Sequence, residues 1–188
     1  INMAPPWATG RKTVTPTKPT GAIAVTAIAS GFVPPILPGP FAFDLAQITL
    51  SMGRMQAMTG ASAALVAARS LGMQSLVASI VDDGPGDFVP THDVTHLADS
   101  ARTGIAGDAG AGVTDLVMQA MGYAWRTHGA VLGLSGRVGD FIYDGIAGLA
   151  AGQVVMAEAK GSYATGVAAA TVDRTARTAL QHQVAPHL

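Results

Sequence analysis

Cysteine is absent from the 188 residues, which excludes disulfides and thiol catalysis without fixing a compartment. Charge is scarce as well: Asp, Glu, Lys and Arg together make up 12% of the chain, roughly half the usual share, and the formal net charge is −1. The chain as a whole therefore has no basic footprint for a nucleic acid, and any polyanion has to be held locally. A membrane-spanning run is not expected either. The longest uncharged stretch, Pro19 to Phe43, is interrupted by prolines and glycines that break a spanning helix. Its first part, Gly21 to Ser30, follows Arg11, Lys12 and Lys18 and loosely resembles the apolar part of a secretion signal. Such signals start at Met with a shorter lead, so a buried strand over Ala22 to Phe32 is the expectation. The length suits one domain, or one domain with an ordered extension, and is ample for a core.

What is present falls into three stretches. Residues 1–20, rich in Pro, Thr and Lys, form an extended arm that needs to be pinned to something if it is to be ordered. Residues 21–106 read as a mostly helical region of unassigned role, with Val33 to Pro40 as a polyproline-like connector. Helices are expected over 44–58 and 61–71, with Asp44 and Thr59 as N-caps and Gly72 as a stop, while Gln74 to Val81 is a helix or a strand. Met52, Met55, Met58 and Met73 read as gap-filling core among small neighbours. The run Asp82-Asp83-Gly84-Pro85-Gly86-Asp87 lacks a calcium-loop spacing and reads as a solvated loop. His92-Asp93-Val94-Thr95-His96 has two histidines at i and i+4, a metal-binding spacing on a helix, but no third ligand follows it. A polar helix start after Pro90 is the preferred reading. Gly107 to Gly112 marks the expected domain boundary. Beyond it come a helix with Val113, Leu116, Val117, Ala120 and Met121 on one face, a stop at Gly122 and a strand from Tyr123 to Leu134 with a loop around Thr127 to Gly129. A hairpin of Val138–Leu149 and Gln153–Ala159 follows, then a helix over Gly166–Val184 with Arg174, Arg177 and Gln181 on one side.

The informative stretch is Gln153-Val154-Val155-Met156-Ala157-Glu158-Ala159-Lys160-Gly161-Ser162. Glu158 is the only glutamate in the chain and Lys160 the only lysine after Lys18. In a strand, residues i and i+2 share a face, so these two would project together. Upstream, Gly139-Asp140-Phe141-Ile142-Tyr143-Asp144 reads as a second strand whose acids a hairpin can bring toward Glu158.

The order helix, strand, strand with Gly139-Asp140, strand with Glu158-Ala159-Lys160, helix resembles the core of the PD-(D/E)XK nuclease superfamily over about residues 107–183. The resemblance implies an α/β fold with a restriction-endonuclease-like core of helix, three-stranded mixed or antiparallel sheet and helix, behind an α-rich N-terminal region. It implies catalytic roles for Asp140, Glu158 and Lys160, with Mg²⁺ or Mn²⁺ held by Asp140 and Glu158 and Lys160 positioning the attacking water. Asp144, at i+4 from Asp140, is an additional metal ligand and Gln153 a weaker neighbour. Gly139 stands where the motif carries proline. The first helix lacks the family's usual acidic residue, a place that Asp115 or Asp108 would have to fill. The chemistry suits the residue types, since phosphodiester cleavage needs a hard cation on carboxylates and an oriented water.

The expected function is therefore a metal-dependent nuclease, a bacterial effector or toxin or a restriction or repair factor, acting on DNA ahead of RNA. Arg137, Arg174 and Arg177, with Arg126, supply the local basic rim. The N-terminal region would serve a protein partner, and the expected location is the cytoplasm, with secretion as an effector the other route. Two readings from other classes stand beside it. One is a catalytically inactive binding or assembly protein on the same fold, and the other a secreted or envelope structural protein. In either, Glu158 and Lys160 form an ion pair at a strand end.

Overall fold

The computed structural model describes residues 6–17, 37–136, 138–145, 154–162 and 168–184. The strand expected over Ala22–Phe32, most of the proline-rich connector, the Ala150–Gly152 link, Arg137, Gln153 and Pro186 lie outside them. Among the described residues the chain is α/β, with four α-helices and two three-stranded sheets. Its contacts divide it into two units. The first gathers the described residues of 1–16, 38–116 and 160–163, and the second those of 17–37, 117–159 and 164–188. The change of unit falls inside a continuous helix after Leu116, not at the glycines from residue 107.

In the first unit, β1 (Lys12–Val14) lies between β2 (Phe41–Phe43), antiparallel to it, and β3 (Gly86–Asp87), parallel to it. Helix α1 (Leu45–Gln56) starts at a capping box. Asp44 accepts from the Gln47 N–H at 2.8 Å and the Gln47 side chain accepts from the Asp44 N–H at 3.0 Å, so two otherwise unpaired donors at the helix start are satisfied. Helix α2 (Ala63–Ile80) is capped by Ser62, not Thr59, and runs straight through Gly72. Gly72 has an ordinary helical backbone, and a glycine without a left-handed conformation costs roughly 1 kcal/mol in a helix interior without ending it. Gln74 to Ile80 is accordingly helical. Gly53 and Ser70 let α1 and α2 approach closely, because a Cβ on Gly53 would collide with Ser70.

The core of this unit contains Trp7, Phe43, Leu45, Ile48, Met52, Val77, Ile80, Val81, Val94 and Ile105. Met52 and Met55 are buried and Met73 is partly so, but Met58 is exposed. Leu65 and Leu71 on α2 are also exposed, and α2 is long and apolar enough, by length and composition alone, to cross a membrane. His92–His96 forms a 3₁₀ turn ahead of α3 (Asp99–Ala120). Of the glycines expected to break the chain, Gly110 and Gly112 sit inside α3 where a side chain would not fit. A Cβ on Gly112 would lie 2.6 Å from the Met52 Cγ, and one on Gly110 would lie 2.7 Å from the Gly161 nitrogen.

In the second unit, α3 ends at Gly122, whose φ of 87° is the left-handed stop the sequence predicts. Strand β4 (Tyr123–His128) pairs with β5 (Phe141–Gly145), which pairs with β6 (Val155–Ala157), all antiparallel. The strand stops at His128, within the loop expected at Thr127 to Gly129, and does not resume toward Leu134. Gly129–Leu132 turns as a 3₁₀ helix that Gly133 closes at a φ of 63°. Phe141, Ile142 and Tyr143 are all buried, so β5 is covered on both faces. Helix α4 (Ala169–Ala179) continues into a π-helical turn, Leu180–Val184.

Candidate acidic site

The β5–β6 register pairs Phe141 with Ala157, Ile142 with Met156 and Tyr143 with Val155. One step further places Asp140 opposite Glu158, each just beyond the end of its strand. The two acids cap one another's strands. The Asp140 N–H donates to Glu158 Oε2 at 3.1 Å, and the Ala159 N–H donates to Asp140 Oδ2 at 3.0 Å. Both residues are half-buried. This crossed arrangement holds two carboxylates at one end of an antiparallel pair, where like charges directly opposite one another are destabilising.

Local packing fixes the backbone that carries Asp140. The Gly129 N–H donates to the Asp140 carbonyl oxygen at 3.0 Å, and a Cβ on Gly129 would collide with the Gly139 carbonyl oxygen. Gly139 is buried, and a Cβ there would lie 2.6 Å from the Met156 Cγ. That contact favours glycine at position 139 as a packing requirement of the β5–β6 pair.

The other candidate residues are placed differently. Asp144 pairs with Arg126 Nε at 2.5 Å, and four residues along an extended chain put it roughly 13 Å from Asp140. Its partner is supplied by the irregular register between Trp125 and Thr127 on β4. Lys160 is exposed and belongs with the first unit. There the next residue, Gly161, is pressed against α3, and a Cβ on it would collide with the Ala106 carbonyl oxygen. On α4, Arg174 is exposed as expected, while Arg177 is half-buried and so is not wholly outward. Asp115 does not supply the missing helix acid as a free carboxylate. It is fully buried and forms an ion pair with Arg54 of α1. Asp108 is half-buried on the same helix.

No cluster of three or more His, Asp or Glu side chains suited to a metal occurs among the described residues. The Asp140–Glu158 pair thus offers two carboxylates, and His92 and His96 offer two exposed imidazoles with ring centroids 5.4 Å apart.

The run Asp82 to Asp87 is more than the solvated loop expected from sequence. Asp83 Oδ1 accepts the N–H groups of Ala8, Thr9 and Gly10 at 2.6, 2.7 and 2.9 Å, and Oδ2 accepts from the Thr9 hydroxyl at 3.1 Å. These donors, chiefly the backbone N–H of Gly10, hold its carboxyl far below the usual range by stabilising the ionised form. Asp82 accepts from the buried Lys12 Nζ at 2.5 Å. Turn composition signals a loop, and only the returning N-terminal segment turns two of its acids into a clamp.

Comparison with family models, curated proteins and solved structures finds no match to this chain.

Proposed function

We propose that the chain is a metal-dependent nuclease that hydrolyses phosphodiester bonds, built on a restriction-endonuclease-like core within residues 107–183. The observation that supports it best is the placement of Asp140 opposite Glu158 at one end of the β5–β6 pair, two carboxylates on facing strands. A divalent cation would be attracted to two carboxylates so placed. Mg²⁺ suits the pair, since it is commonly held by one or two carboxylates and keeps several waters, so the lack of a third acid is no obstacle. When bound, such an ion offsets charge on the phosphoryl oxygens and makes its water a better nucleophile. In this reading Asp140 and Glu158 each turn an oxygen to the cation, and their hydrogen bonds to the facing backbone set their orientation. Lys160, two residues after Glu158, takes the water-positioning role implied by the resemblance. Arg174 and Arg177 on α4 are the candidates for phosphate contacts.

The experiment is cleavage of single- and double-stranded DNA, and of RNA, with Mg²⁺ or Mn²⁺ and with EDTA. EDTA is expected to abolish cleavage. Asp140→Ala and Glu158→Ala should each lower turnover by roughly two orders of magnitude or more while the fold survives. Lys160→Ala should be similarly impaired yet still bind Mn²⁺ by calorimetry, because its role is on the water. A wild-type chain that binds no divalent ion and cleaves none of these substrates would sink the proposal.

A second reading, an inactive binding or assembly protein, draws on the same hydrogen bonds. Each acid already has an architectural task in capping the facing strand, which would be sufficient reason for its presence. The metal titration separates the two.

A further inference from the structure

The first sheet is assembled in an unusual order, with its sequence-first strand in the middle. Residues 6–14 lie in a slot formed by residues 41–43 and 78–88. Lys12, Thr13 and Val14 pair with Phe43, Ala42 and Phe41 on one side, and Lys12 and Thr13 pair with Gly86 and Asp87 on the other. The Trp7 N–H reaches the carbonyls of Ala78 and Val81 at 2.9 and 3.1 Å, and its ring packs on Phe43 and Phe88 with centroids 6.3 and 5.9 Å away. Asp83 takes three successive N–H groups of the segment. Lys12 Nζ meets Asp82 and the Gly84 carbonyl, both at 2.5 Å.

The slot therefore reads an extended segment in three ways: an aromatic pocket, an acid that counts backbone N–H groups, and an acid that takes a lysine. None of these features depends on the segment belonging to the same chain. Residues 15–40 are the covalent link between this segment and β2. A tether gives its own segment an effective concentration on the order of a millimolar, without adding a contact.

We propose that the slot also accepts residues 6–14 of a second copy, giving a two-fold strand-exchanged dimer in which every contact above is re-formed between chains. A second copy is the fitting occupant because it carries the same Trp7, Lys12 and run of N–H groups at the same spacing. Exchange of an identical element between protomers is a low-cost route to a dimer. Dimers are favoured when chains fold together at concentrations that compete with the tether.

The absence of cysteine makes the test direct. Thr13→Cys and Ala42→Cys are register partners across β1 and β2 and are made in separate full-length chains. The two chains are unfolded, mixed and refolded under mild oxidation, at a concentration near about 1 mM and at one roughly a hundredfold lower. Strand exchange predicts a covalent heterodimer at the high concentration, several-fold above either homodimeric disulfide, and its near loss at the low one. Thr13→Cys with Asp87→Cys, partners across β1 and β3, repeats the test should Ala42→Cys not fold. A heterodimer no more abundant than the homodimers, or none at all at the high concentration, overturns the proposal.

Discussion

Asp83 in the first unit and the Asp140–Glu158 pair in the second use the same interaction, a carboxylate oxygen accepting a backbone N–H. Their surroundings differ. Asp83 meets three successive N–H groups and a hydroxyl from a segment more than seventy residues away, so its charge closes a structure. Its neighbour Asp82 faces a lysine. Asp140 and Glu158 face each other, and the residue opposite each acid is another acid. What a carboxylate does is thus decided by what the fold sets against it. Asp82 and Asp83 are directed at donors and a cation of the protein itself, whereas Asp140 and Glu158 each accept a backbone N–H of the facing strand.

Four changes sharpen that comparison, beyond the catalytic variants already described. The largest effect on stability is expected from Trp7→Ala. Trp7 is 1% exposed between Phe43 and Phe88, and its loss should cost about 3–5 kcal/mol by chemical denaturation, with the clamp around Asp83 released at the same time. A cost below about 1 kcal/mol would mean that the N-terminal segment adds little to the core.

Arg54→Ala comes next. Asp115 is fully buried, and removing its arginine leaves a charge in the interior, for which a loss of about 3 kcal/mol is expected. Replacing Arg54 and Asp115 together by apolar residues should recover much of that loss in urea denaturation, because the buried charge is then gone.

Acid titration of stability tests Asp83. Its folded-state pKa lies far below its ordinary value of 3.8, so the stability it contributes is present above that value and is lost as pH falls through the acid range toward the folded value. Asp83→Asn should lower the melting temperature at neutral pH and flatten the decline below about pH 4 relative to wild type. An unchanged acid slope would remove Asp83 from the clamp.

The smallest effect should come from Glu158→Gln. It keeps an oxygen for the Asp140 N–H and removes one of the two charges the proposed cation would meet, so the melting temperature of the metal-free protein should move little. In the same melting experiment Mn²⁺ should raise the wild-type melting temperature but leave the variant unmoved. Equal Mn²⁺ responses would dissociate the acidic pair from metal binding.

The extent to which this molecule is legible in its sequence varies with the range of the signal. Asp44 as a cap and Gly122 as a stop rest on neighbours within a turn and are found, and of the two runs expected to pair, Phe141–Tyr143 pairs with Val155–Ala157. Asp140 opposite Glu158 follows from the same local pattern once two strands pair. Gly72, Gly107, Gly110 and Gly112 read as breaks and are helical instead; Gly110 and Gly112 are close-packed there, while Gly72 and Gly107 are simply tolerated in a helix interior. The arm of residues 1–20 reads as extended and polar, yet Trp7 is core and β1 is a central strand.

By itself, then, the sequence determined the α/β class, the Asp44 cap, the Gly122 stop and the strand pairing that sets Asp140 opposite Glu158, since each depends on residue type and short-range periodicity. Tertiary structure alone decided that Asp144 belongs to Arg126, that Asp115 is buried against Arg54, and that Asp82 and Asp83 clamp the N-terminal segment. In those cases the partner lies far along the chain or, for Asp144, on the far strand of a bulged pair. No local pattern encodes a contact whose two halves meet only when the core closes.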